Sequence, residues 1–250
     1  MSYFGHPCIY LSNVESTNNY LADHPDLDSL TEGTAILTYD QRDGRGQFGK
    51  KWSMRSGKDI AISVLLRPDL TNKRAFYFNK AICVGVSKCL ESLLNMEVKV
   101  KWPNDVFVYG RKIAGILVEP SWSGNRCRQA IVGVGLNVNS ETADRPFPAI
   151  SILEVLDEES ALSHVVDALV DQLERSYDLF RSGRLDAIEN EYQSRLMGRG
   201  EKVPYREGQK IGIAKLIRVD DTGRIILETD EQERSWAHRE IEIDYSGIIG

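Results

Sequence analysis

Long apolar runs are absent from this chain of 250 residues, and so are the marks of a secreted protein. No segment approaches the roughly 18 consecutive apolar residues that define a candidate membrane-spanning helix. The first residues, Met1 to Cys8, lack the basic and apolar regions of a signal peptide. We therefore expect a cytoplasmic protein that does not span a membrane.

Cysteine and histidine are scarce, with four residues of each. The cysteines form no Cys-x-x-Cys pair and no metal-ligand spacing, so reduced thiols in the cytosol are the simplest interpretation. The histidines are dispersed and form no cluster that could bind a metal. No Ser-His-Asp or Cys-His arrangement stands out, so nucleophilic catalysis has no candidate. The cysteines are Cys8, Cys83, Cys89 and Cys127, and the histidines are His6, His24, His164 and His238.

The charged residues are unevenly distributed along a chain whose net charge is −6. An acidic protein is a poor non-specific binder of nucleic acid, so no nucleic-acid partner is expected. Residues 151–193 hold eleven acids against three arginines, a net of −8, whereas residues 41–51 hold four basic residues against one acid, a net of +3. A local basic loop favours a small anionic ligand over a long polyanion. A solvated acidic helix face beside a stray basic loop is the alternative, which charge alone does not exclude.

Apolar periodicity predicts more strands than helices in the first 140 residues. Alternating or continuous apolar runs indicate strands, and apolar residues at intervals of three and four predict a helix over 72–94. Interleaved hairpins favour an α+β fold, with a mixed, largely antiparallel sheet and flanking helices, over a doubly wound parallel sheet. The strands are predicted at 34–38, 60–66, 98–101, 105–109, 112–119 and 129–139.

The periodicity changes near residue 200. Two amphipathic helices are predicted before that point, over 162–180 and 185–196, and a pair of glycines stops the second. The pattern then has a period of two, with short apolar strands joined by tight turns. Some fifty residues can close a small β-barrel. We therefore predict two domains, residues 1–198 and 199–250.

A glycine-rich basic loop, residues 41–52, separates the first two predicted strands. Its sequence is Gln-Arg-Asp-Gly-Arg-Gly-Gln-Phe-Gly-Lys-Lys-Trp. Three glycines in six positions let backbone N–H groups approach an anion closely, and Arg45, Lys50 and Lys51 add full charges. The loop matches neither the Walker pattern nor the dinucleotide fingerprint. A flexible cationic loop explains this segment equally well when it is taken alone.

The stretch Lys-Trp-Pro-Asn-Asp joins a predicted strand to a predicted hairpin. Pro103 ends the strand, because proline lacks an N–H and restricts Trp102 to extended geometry. Several polar and charged groups then meet at one sheet edge, which is expected where something charged is bound. The alternatives are a surface lysine on a strand edge and a hairpin lysine that protects the edge from further pairing. The groups at this edge are Lys101, Asn104, Asp105 and Lys112.

Two glycines interrupt the strand predicted at 129–139, in the sequence Gly-Val-Gly-Leu-Asn-Val-Asn. Gly133 and Gly135 weaken the strand and indicate a bulge or a close approach of the backbone to a ligand. The amide of Asn137 could read a base edge by paired hydrogen bonds. Tight packing against a neighbouring strand, with asparagine in the following turn, is equally compatible with this piece.

In their order along the chain these motifs closely resemble those of the biotin–protein ligases. The match spans about residues 10–140, and the C-terminal β-module fits the family more loosely. The Lys-Trp-Pro-Asn-Asp block discriminates against the related lipoate ligases. The resemblance implies a class II synthetase-like catalytic domain followed by a small SH3-like β-barrel. The matching motifs are Ser-Thr-Asn at 16–18, Gln-x-x-Gly-Arg-Gly at 41–46, Lys-Trp-Pro-Asn-Asp at 101–105, Lys-Ile-Ala-Gly-Ile-Leu at 112–117 and Gly-x-Gly-Leu-Asn-Val-Asn at 133–139.

The resemblance also implies a reaction in two steps. Biotin and Mg-ATP form biotinyl-5′-AMP, and a lysine of a biotin carboxyl carrier protein, such as an acetyl-CoA carboxylase subunit, then attacks the mixed anhydride. ATP and Mg²⁺ are the implied cofactors, and biotin is the substrate. The first step brings a carboxylate and an α-phosphate together, so cations and backbone dipoles must offset their repulsion.

The resemblance assigns site residues position by position. It places Lys101 between the carboxylate and the α-phosphate, with Arg45 and Lys112 as further catalytic candidates, and it makes Asp105 the candidate magnesium ligand. The implied biotin-binding residues are Ser16, Thr17, Asn18, Gln41, Gly44, Arg45, Gly46, Gln47, Lys101 and Gly115. The implied ATP-binding residues are Arg45, Lys50, Trp52, Asn104, Lys112 and Asn137, of which Asn137 meets the adenine.

Two departures from the family pattern carry expectations. Gln47 stands where some members have an arginine that helps to retain the adenylate, so weaker retention is expected unless Lys50 or Lys51 compensates. The motifs begin by Ser16, which leaves no room for the N-terminal winged helix that binds an operator in some members. A monofunctional ligase is therefore expected.

Two alternatives to a biotin ligase stay open at this stage. One is a lipoate or octanoate ligase of related fold, which would prefer a long acyl chain. The other is a non-catalytic biotin sensor or repressor, against which the net charge of −6 counts. A homodimer through the sheet edge is a further candidate interaction.

Overall fold

A seven-stranded mixed sheet forms the centre of the protein in the computed structural model, which describes residues 4–71, 74–230 and 232–248. Its strands stand in the order β1-β2-β5-β9-β8-β7-β6, and β3 and β4 form a separate small hairpin. Only the β1–β2 pairing is parallel, so the predicted mixed, largely antiparallel sheet is confirmed. The strands are β1 (Cys8–Leu11), β2 (Ala35–Thr38), β3 (Gly44–Arg45), β4 (Lys51–Trp52), β5 (Ile60–Leu66), β6 (Lys99–Lys101), β7 (Asp105–Val108), β8 (Arg111–Ser123) and β9 (Arg126–Leu136).

The helices flank this sheet, and the three long ones lie where the apolar periodicity predicts them. Asn72 and Lys73, at the predicted start of the first long helix, lie outside the described residues. The five-residue helix α3 is not among the predicted helices and is set by local capping. No helix in the described ranges is long and apolar enough to cross a membrane. The helices are α1 (Thr17–Ala22), α2 (Ala75–Leu94), α3 (Ile152–Leu156), α4 (Leu162–Arg181) and α5 (Leu185–Arg195).

The main core lies between the sheet and α2. All seven residues of the central strand β5 are buried, and α4 and α5 pack against α2. The ring of Phe78 on α2 lies 5.9 Å from that of Tyr177 and 5.5 Å from that of Phe180, both on α4. Burying a large apolar side chain of this kind stabilises the fold by about 1.5–3 kcal/mol. The sheet is therefore a rigid platform for the groups on its other face.

Helix α1 covers part of that other face. Leu21 of α1 is fully buried against Ile36, Leu65 and Ile131, which come from three strands of the sheet. The helix begins after Ser16, whose hydroxyl accepts a hydrogen bond from the Asn19 N–H, as an N-cap serine does. The polar first turn of α1 is thereby held against the sheet.

The C-terminal part forms a second, five-stranded antiparallel sheet in the order β13-β12-β11-β10-β14. The predicted β-module is thus confirmed, whereas closure into a barrel is not seen, since no pairing joins β13 to β14 among the described residues. We propose that the domain boundary lies at 198–199, between α5 and β10. The strands are β10 (Lys202–Glu207), β11 (Lys210–Val219), β12 (Ile225–Thr229), β13 (Gln232–Trp236) and β14 (Glu242–Ile243).

A buried lysine ties this module to the rest of the chain. The side chain of Lys80, on α2, is fully buried, and its Nζ lies 2.7 Å from a carboxylate oxygen of Glu189 on α5. The same ammonium donates to the carbonyls of Val219 (3.0 Å) and Asp220 (2.9 Å) in the C-terminal module. The β11–β12 turn is therefore fixed against α2 by charge-assisted hydrogen bonds.

Candidate active site

A cavity of about 640 Å³ lies between the open face of the main sheet, the β3–β4 hairpin and the C-terminal module. Its lining contains almost every site residue that the sequence predicts, and two are outside it: Gly44 and Asn137. The predicted residues that do line it are Ser16, Thr17, Asn18, Gln41, Arg45, Gly46, Gln47, Lys50, Trp52, Lys101, Asn104, Asp105, Lys112 and Gly115.

One end of the cavity is a neutral hydrogen-bond network at the start of α1. The carbonyl oxygen of the Gln41 side chain accepts from the Thr17 N–H (2.8 Å) and from the Thr17 hydroxyl (3.2 Å). Ser63 of β5 donates to the Thr17 hydroxyl oxygen at 2.7 Å. Gly44 lies behind this network, since a Cβ there would come within 2.4 Å of the Gln41 side-chain nitrogen. These uncharged groups suit a neutral polar ligand group.

Arg45 is oriented by an acid that sequence reasoning missed. Its Nη2 lies 2.7 and 2.8 Å from the two carboxylate oxygens of Glu119, which also accepts from the Asn18 side-chain amide at 2.7 Å. Glu119 lies on β8 two positions beyond Leu117 and four beyond Gly115, and both of those residues line the cavity. The alternation of strand side chains was therefore the signal that could have identified it.

Lys101, the last residue of β6, places its ammonium group beside two aromatic rings of the cavity. Its Nζ lies 5.3 Å from the ring centroid of Phe107 and 5.1 Å from that of Tyr245. Within the described ranges no carboxylate lies within ion-pair distance of it. Burial lowers the pKa of Lys101, Asp105 opposes that change, and Lys112 reinforces it. The ammonium is therefore partly desolvated and has no ion-pair partner among the described residues, a costly state unless an anionic ligand offsets it.

Lys112 and Asp105 form an ion pair beside Lys101. The Lys112 Nζ lies 2.7 Å from the Asp105 carboxylate and 5.4 Å from the ring centroid of Trp52. Asp105 is the direct neighbour of Lys101 across the β6–β7 ladder. Between them, the side chain of Asn104 donates to the Ile116 carbonyl, which locks the turn that the sequence predicted. The predicted cluster at the sheet edge is thus present.

Trp52 lies flat on the two glycine-containing strands. A Cβ on Gly115 would come within 3.0 Å of the indole, and one on Gly135 within 2.3 Å. A Cβ on Gly133 would meet the Asn18 side chain at 2.2 Å. The close approach predicted for Gly133 and Gly135 is therefore made to site side chains. The Trp52 indole N–H is buried and has no partner among the described residues.

Asn137 lies behind the cavity wall, although the resemblance assigns it to the adenine. Its side-chain nitrogen donates to the carbonyls of Ile150 (3.1 Å) and Lys112 (3.4 Å), and the residue is only 2% exposed. Its side-chain oxygen is buried and unpartnered within the described ranges. The adenine contact stays a prediction, and the visible role of Asn137 is to hold the backbone at Lys112.

The C-terminal module supplies part of the cavity, although no local pattern in the sequence predicts this. Its residues His238 and Tyr245 line the cavity. His238 Nδ1 and the Tyr245 hydroxyl are buried without a partner among the described residues. Burial lowers the pKa of His238, and Lys50 lowers it further. The Phe48 ring, at the tip of the basic loop, lies 5.2 Å from the His238 ring. Residues from both modules therefore enclose one cavity.

Comparisons with known proteins agree with this geometry. The chain is 27% identical over 237 residues to the bifunctional ligase/repressor BirA of Bacillus subtilis, covering 93% of this chain and 72% of that protein. It is 28% identical over 232 residues to the biotin–[acetyl-CoA-carboxylase] ligase of Paracoccus denitrificans, covering 87% and 92%. Its fold matches the biotin protein ligase of Aquifex aeolicus in complex with biotin and ATP, with a TM-score of 0.80 and 24% identity over 96% of this chain and 99% of that one.

The family comparison covers the part of the chain that carries the motifs. Residues 10–137, which are slightly more than half of the sequence, match the sequence model of the biotin/lipoate A/B protein ligase family. This range includes the start of α1, the basic loop, Lys101 and the glycine-containing strands, which together form most of the cavity. The chain belongs to the biotin/lipoate A/B protein ligase family.

Proposed function

We propose that this protein is an ATP-dependent biotin–protein ligase, which forms biotinyl-5′-AMP and transfers biotin to a lysine of a biotin carboxyl carrier protein. The observation that carries the proposal is Lys101, a half-buried ammonium in the cavity without a carboxylate partner in the described part of the chain. It lines the same cavity as the neutral network at the start of α1 and the basic loop. The ligase names of the relatives support the same activity.

The first step joins two anions. A carboxylate oxygen of biotin attacks the α-phosphorus of ATP, the bond to the bridging oxygen breaks, and pyrophosphate leaves. We assign Lys101 to the point where the two anions meet, where its charge offsets their repulsion and stabilises the developing charge. Arg45, oriented by Glu119, and Lys112, oriented by Asp105, add positive charge from two sides. In the second step the carrier amine attacks the acyl carbon, and AMP leaves.

We assign the two parts of the adenylate, biotin and the nucleotide, to different groups of cavity residues. We assign the uncharged ring of biotin to the network of Thr17, Asn18 and Gln41, since neutral donors and acceptors suit a neutral ring. The basic loop with Lys50 and Trp52 is assigned to the nucleotide. The remaining assignments are Ser16, Gly44, Gly46, Gln47 and Gly115 to biotin, and Asn104 and Lys112 to ATP.

Magnesium is expected with the nucleotide. No group of three or more His, Cys, Asp or Glu side chains in the described ranges could hold a metal ion by itself. Mg²⁺ in nucleotide sites is commonly bound by one or two carboxylates together with substrate phosphates. Asp105 fits this pattern as a single protein ligand, and the ion would neutralise phosphate charge there.

The acceptor and the setting are parts of the same proposal. The relative from Paracoccus denitrificans is named for acetyl-CoA carboxylase, which supports a carboxylase carrier subunit as the partner. All four cysteines are free thiols, in keeping with a cytoplasmic location. Backbone contacts of Leu196 and Met197 cover the β6 edge, so a homodimer through a sheet edge would use β1. Sedimentation of the purified protein measures that association.

Transfer of biotin to a purified carrier domain, with and without ATP, tests the proposal. We expect one biotin per carrier, dependent on ATP and abolished when the acceptor lysine is replaced by arginine. Calorimetric titration with biotin and with lipoate separates the two ligase activities of the family. Binding of lipoate without binding of biotin would contradict the proposal, and biotin binding without adenylate formation would indicate a sensor.

A further inference from the structure

Tyr245 of the C-terminal module faces the cation on which the proposed reaction depends. The Lys101 Nζ lies 5.1 Å from the Tyr245 ring centroid and 5.3 Å from that of Phe107 on β7. An ammonium within about 6 Å of an aromatic centroid is attracted by the negative face of the ring. The lysine is therefore held between two rings, one from each module.

Other restraints on the ammonium are lacking in the described part of the chain. No carboxylate lies within ion-pair distance of Lys101; of the two acids whose charge raises its pKa, Asp105 is already paired with Lys112 at 2.7 Å, and Asp244 lies beside Tyr245 in the C-terminal module. A lysine side chain is a flexible stem that ends in a point charge, so its position depends on what surrounds it. Here two aromatic rings lie within cation–π distance of the ammonium.

The same module also holds the residue that follows the lysine. The Trp102 indole N–H donates to the carbonyl of Gly223 at 2.9 Å, and the Trp102 ring packs edge-on to His238 at 5.2 Å. Gly223 has a φ of +85°, and a Cβ there would come within 2.3 Å of the Phe76 ring. The turn thus approaches the main domain more closely than another residue would allow.

The ring of Tyr245, rather than its hydroxyl, makes the contact. Tyr245 is 8% exposed, and its hydroxyl is buried without a partner among the described residues. We propose that Tyr245 is a positioning residue, which holds the Lys101 ammonium where the carboxylate and the α-phosphate meet. This inference rests on the proposed function and adds a role for the C-terminal module in the first step.

Replacement of the ring tests the inference through biotin-dependent exchange between ATP and pyrophosphate. Misplacement of a catalytic group lowers the rate of the chemical step and affects substrate binding much less. We therefore expect Tyr245→Leu to lower kcat about tenfold with little change in the KM for biotin. Tyr245→Phe keeps the ring and should retain most of the wild-type kcat. An unchanged kcat in Tyr245→Leu, or an equal loss in Tyr245→Phe, would overturn the inference.

Tyr205→Leu is the matched control for general damage to the module. Tyr205 is also a buried aromatic residue of this module, but it packs on Trp236 and lies outside the cavity lining. We expect this variant to lose thermal stability and to keep its kcat at temperatures where it is folded. An equal loss of kcat in the control would assign the effect to the module as a whole and contradict the role of Tyr245.

A second readout does not depend on activity. Lysines carrying ¹³C-methyl groups after reductive methylation give NMR signals, and the signal missing in Lys101→Arg identifies Lys101. We expect a ring-current shift for Lys101 in the wild type and in Tyr245→Phe, and its reduction in Tyr245→Leu. An identical shift in all three would refute the contact. Absence of biotin-dependent exchange in the wild type would instead refute the proposed function.

Discussion

At the scale of single residues, the site depends on how each cation is compensated. Arg45 is paired with Glu119 and Lys112 with Asp105, whereas Lys101 has aromatic neighbours and no carboxylate at ion-pair distance in the described residues. A paired cation is held in place, and an unpaired, partly desolvated cation gains most from an incoming anion. The three cations therefore have different tasks.

Lys101→Ala should abolish most of the adenylate formation and leave the fold intact. Removal of one preorganised charge at a reacting centre typically lowers the rate by about 10²–10³-fold. ATP–pyrophosphate exchange measures the loss, and circular dichroism checks the fold. Lys99→Ala is the matched control, because Lys99 lies on the same strand and pairs with Glu97. Unchanged exchange in Lys101→Ala would refute the assigned role.

Gln47→Arg should slow the release of biotinyl-5′-AMP. Gln47 lines the cavity in the basic loop, where a guanidinium would add a charge-assisted hydrogen bond to the adenylate phosphate. Such bonds contribute about 1.5–3 kcal/mol, so a half-life at least about tenfold longer is expected. A chase of labelled adenylate with unlabelled biotin and ATP measures it. Equal half-lives would mean that Lys50 or Lys51 already supplies the retention.

At the scale of secondary-structure elements, the two glycine-containing strands are shaped to receive side chains of the site. Gly115 and Gly135 are direct neighbours across the β8–β9 ladder, and the Trp52 indole lies over both. Because neither position has a side chain, the indole can approach the backbone closely. The shape of the cavity floor thus depends on two missing methyl groups.

Gly135→Ala should move Trp52 away from the sheet. The added methyl group would lie 2.3 Å from the indole, which is closer than real contacts allow. We expect a shifted tryptophan fluorescence spectrum and a loss of pyrophosphate exchange of about tenfold or more, since misplacement by about 1 Å can be costly. Arg128→Ala, at an exposed position of the same strand, should change neither measurement. A wild-type spectrum in Gly135→Ala would show that Trp52 does not rest on this strand.

The elements differ in how well their sequence predicts them. Helices α2, α4 and α5 and the strands of the β6–β9 hairpins carry enough periodicity to be located from the sequence. Strand β1 was not predicted, because its four residues are held by parallel pairing with β2. The short helix α3 depends on the reciprocal cap between Ser151 and Glu154. Such elements are determined by contacts, and periodicity does not reveal them.

At the scale of the whole molecule, the cavity is assembled from segments far apart in the sequence. The motif residues Lys101, Arg45 and Asp105 could be predicted because the resemblance carries them. His238 and Tyr245 could not, since they lie far downstream in a module that fits the family only loosely. Asn137 is the opposite case, since the motif predicts it as a site residue, yet it is absent from the cavity lining and bonds to the backbone behind it. Long-range packing decides both outcomes.

Lys80→Met should weaken the attachment of the C-terminal module. The substitution removes the ammonium shared by Glu189 and the carbonyls of Val219 and Asp220, and Gln193 remains as a donor to Glu189 and Val219 only. Breaking a buried ion pair from one side typically costs about 3–5 kcal/mol in the free energy of unfolding. Urea denaturation measures the loss. Lys88→Met, on the same helix, removes the more exposed pair with Glu191 and should cost less than about 1 kcal/mol. Equal costs would contradict the view that Lys80 anchors the module.

The packing of the β11–β12 turn against the main domain also has a consequence for recombination between relatives. The carbonyl oxygen of Gly223 accepts a hydrogen bond from the Trp102 indole N–H. The Phe76 ring leaves no space for a side chain at Gly223. A chimera that takes its last fifty or so residues from a relative would receive a β11–β12 turn that is fitted to the relative's residues and not to Trp102 and Phe76 of this chain. We therefore expect the two parts of these enzymes to diverge as a matched pair, with exchanges tolerated only when the turn and the lysine-bearing strand move together.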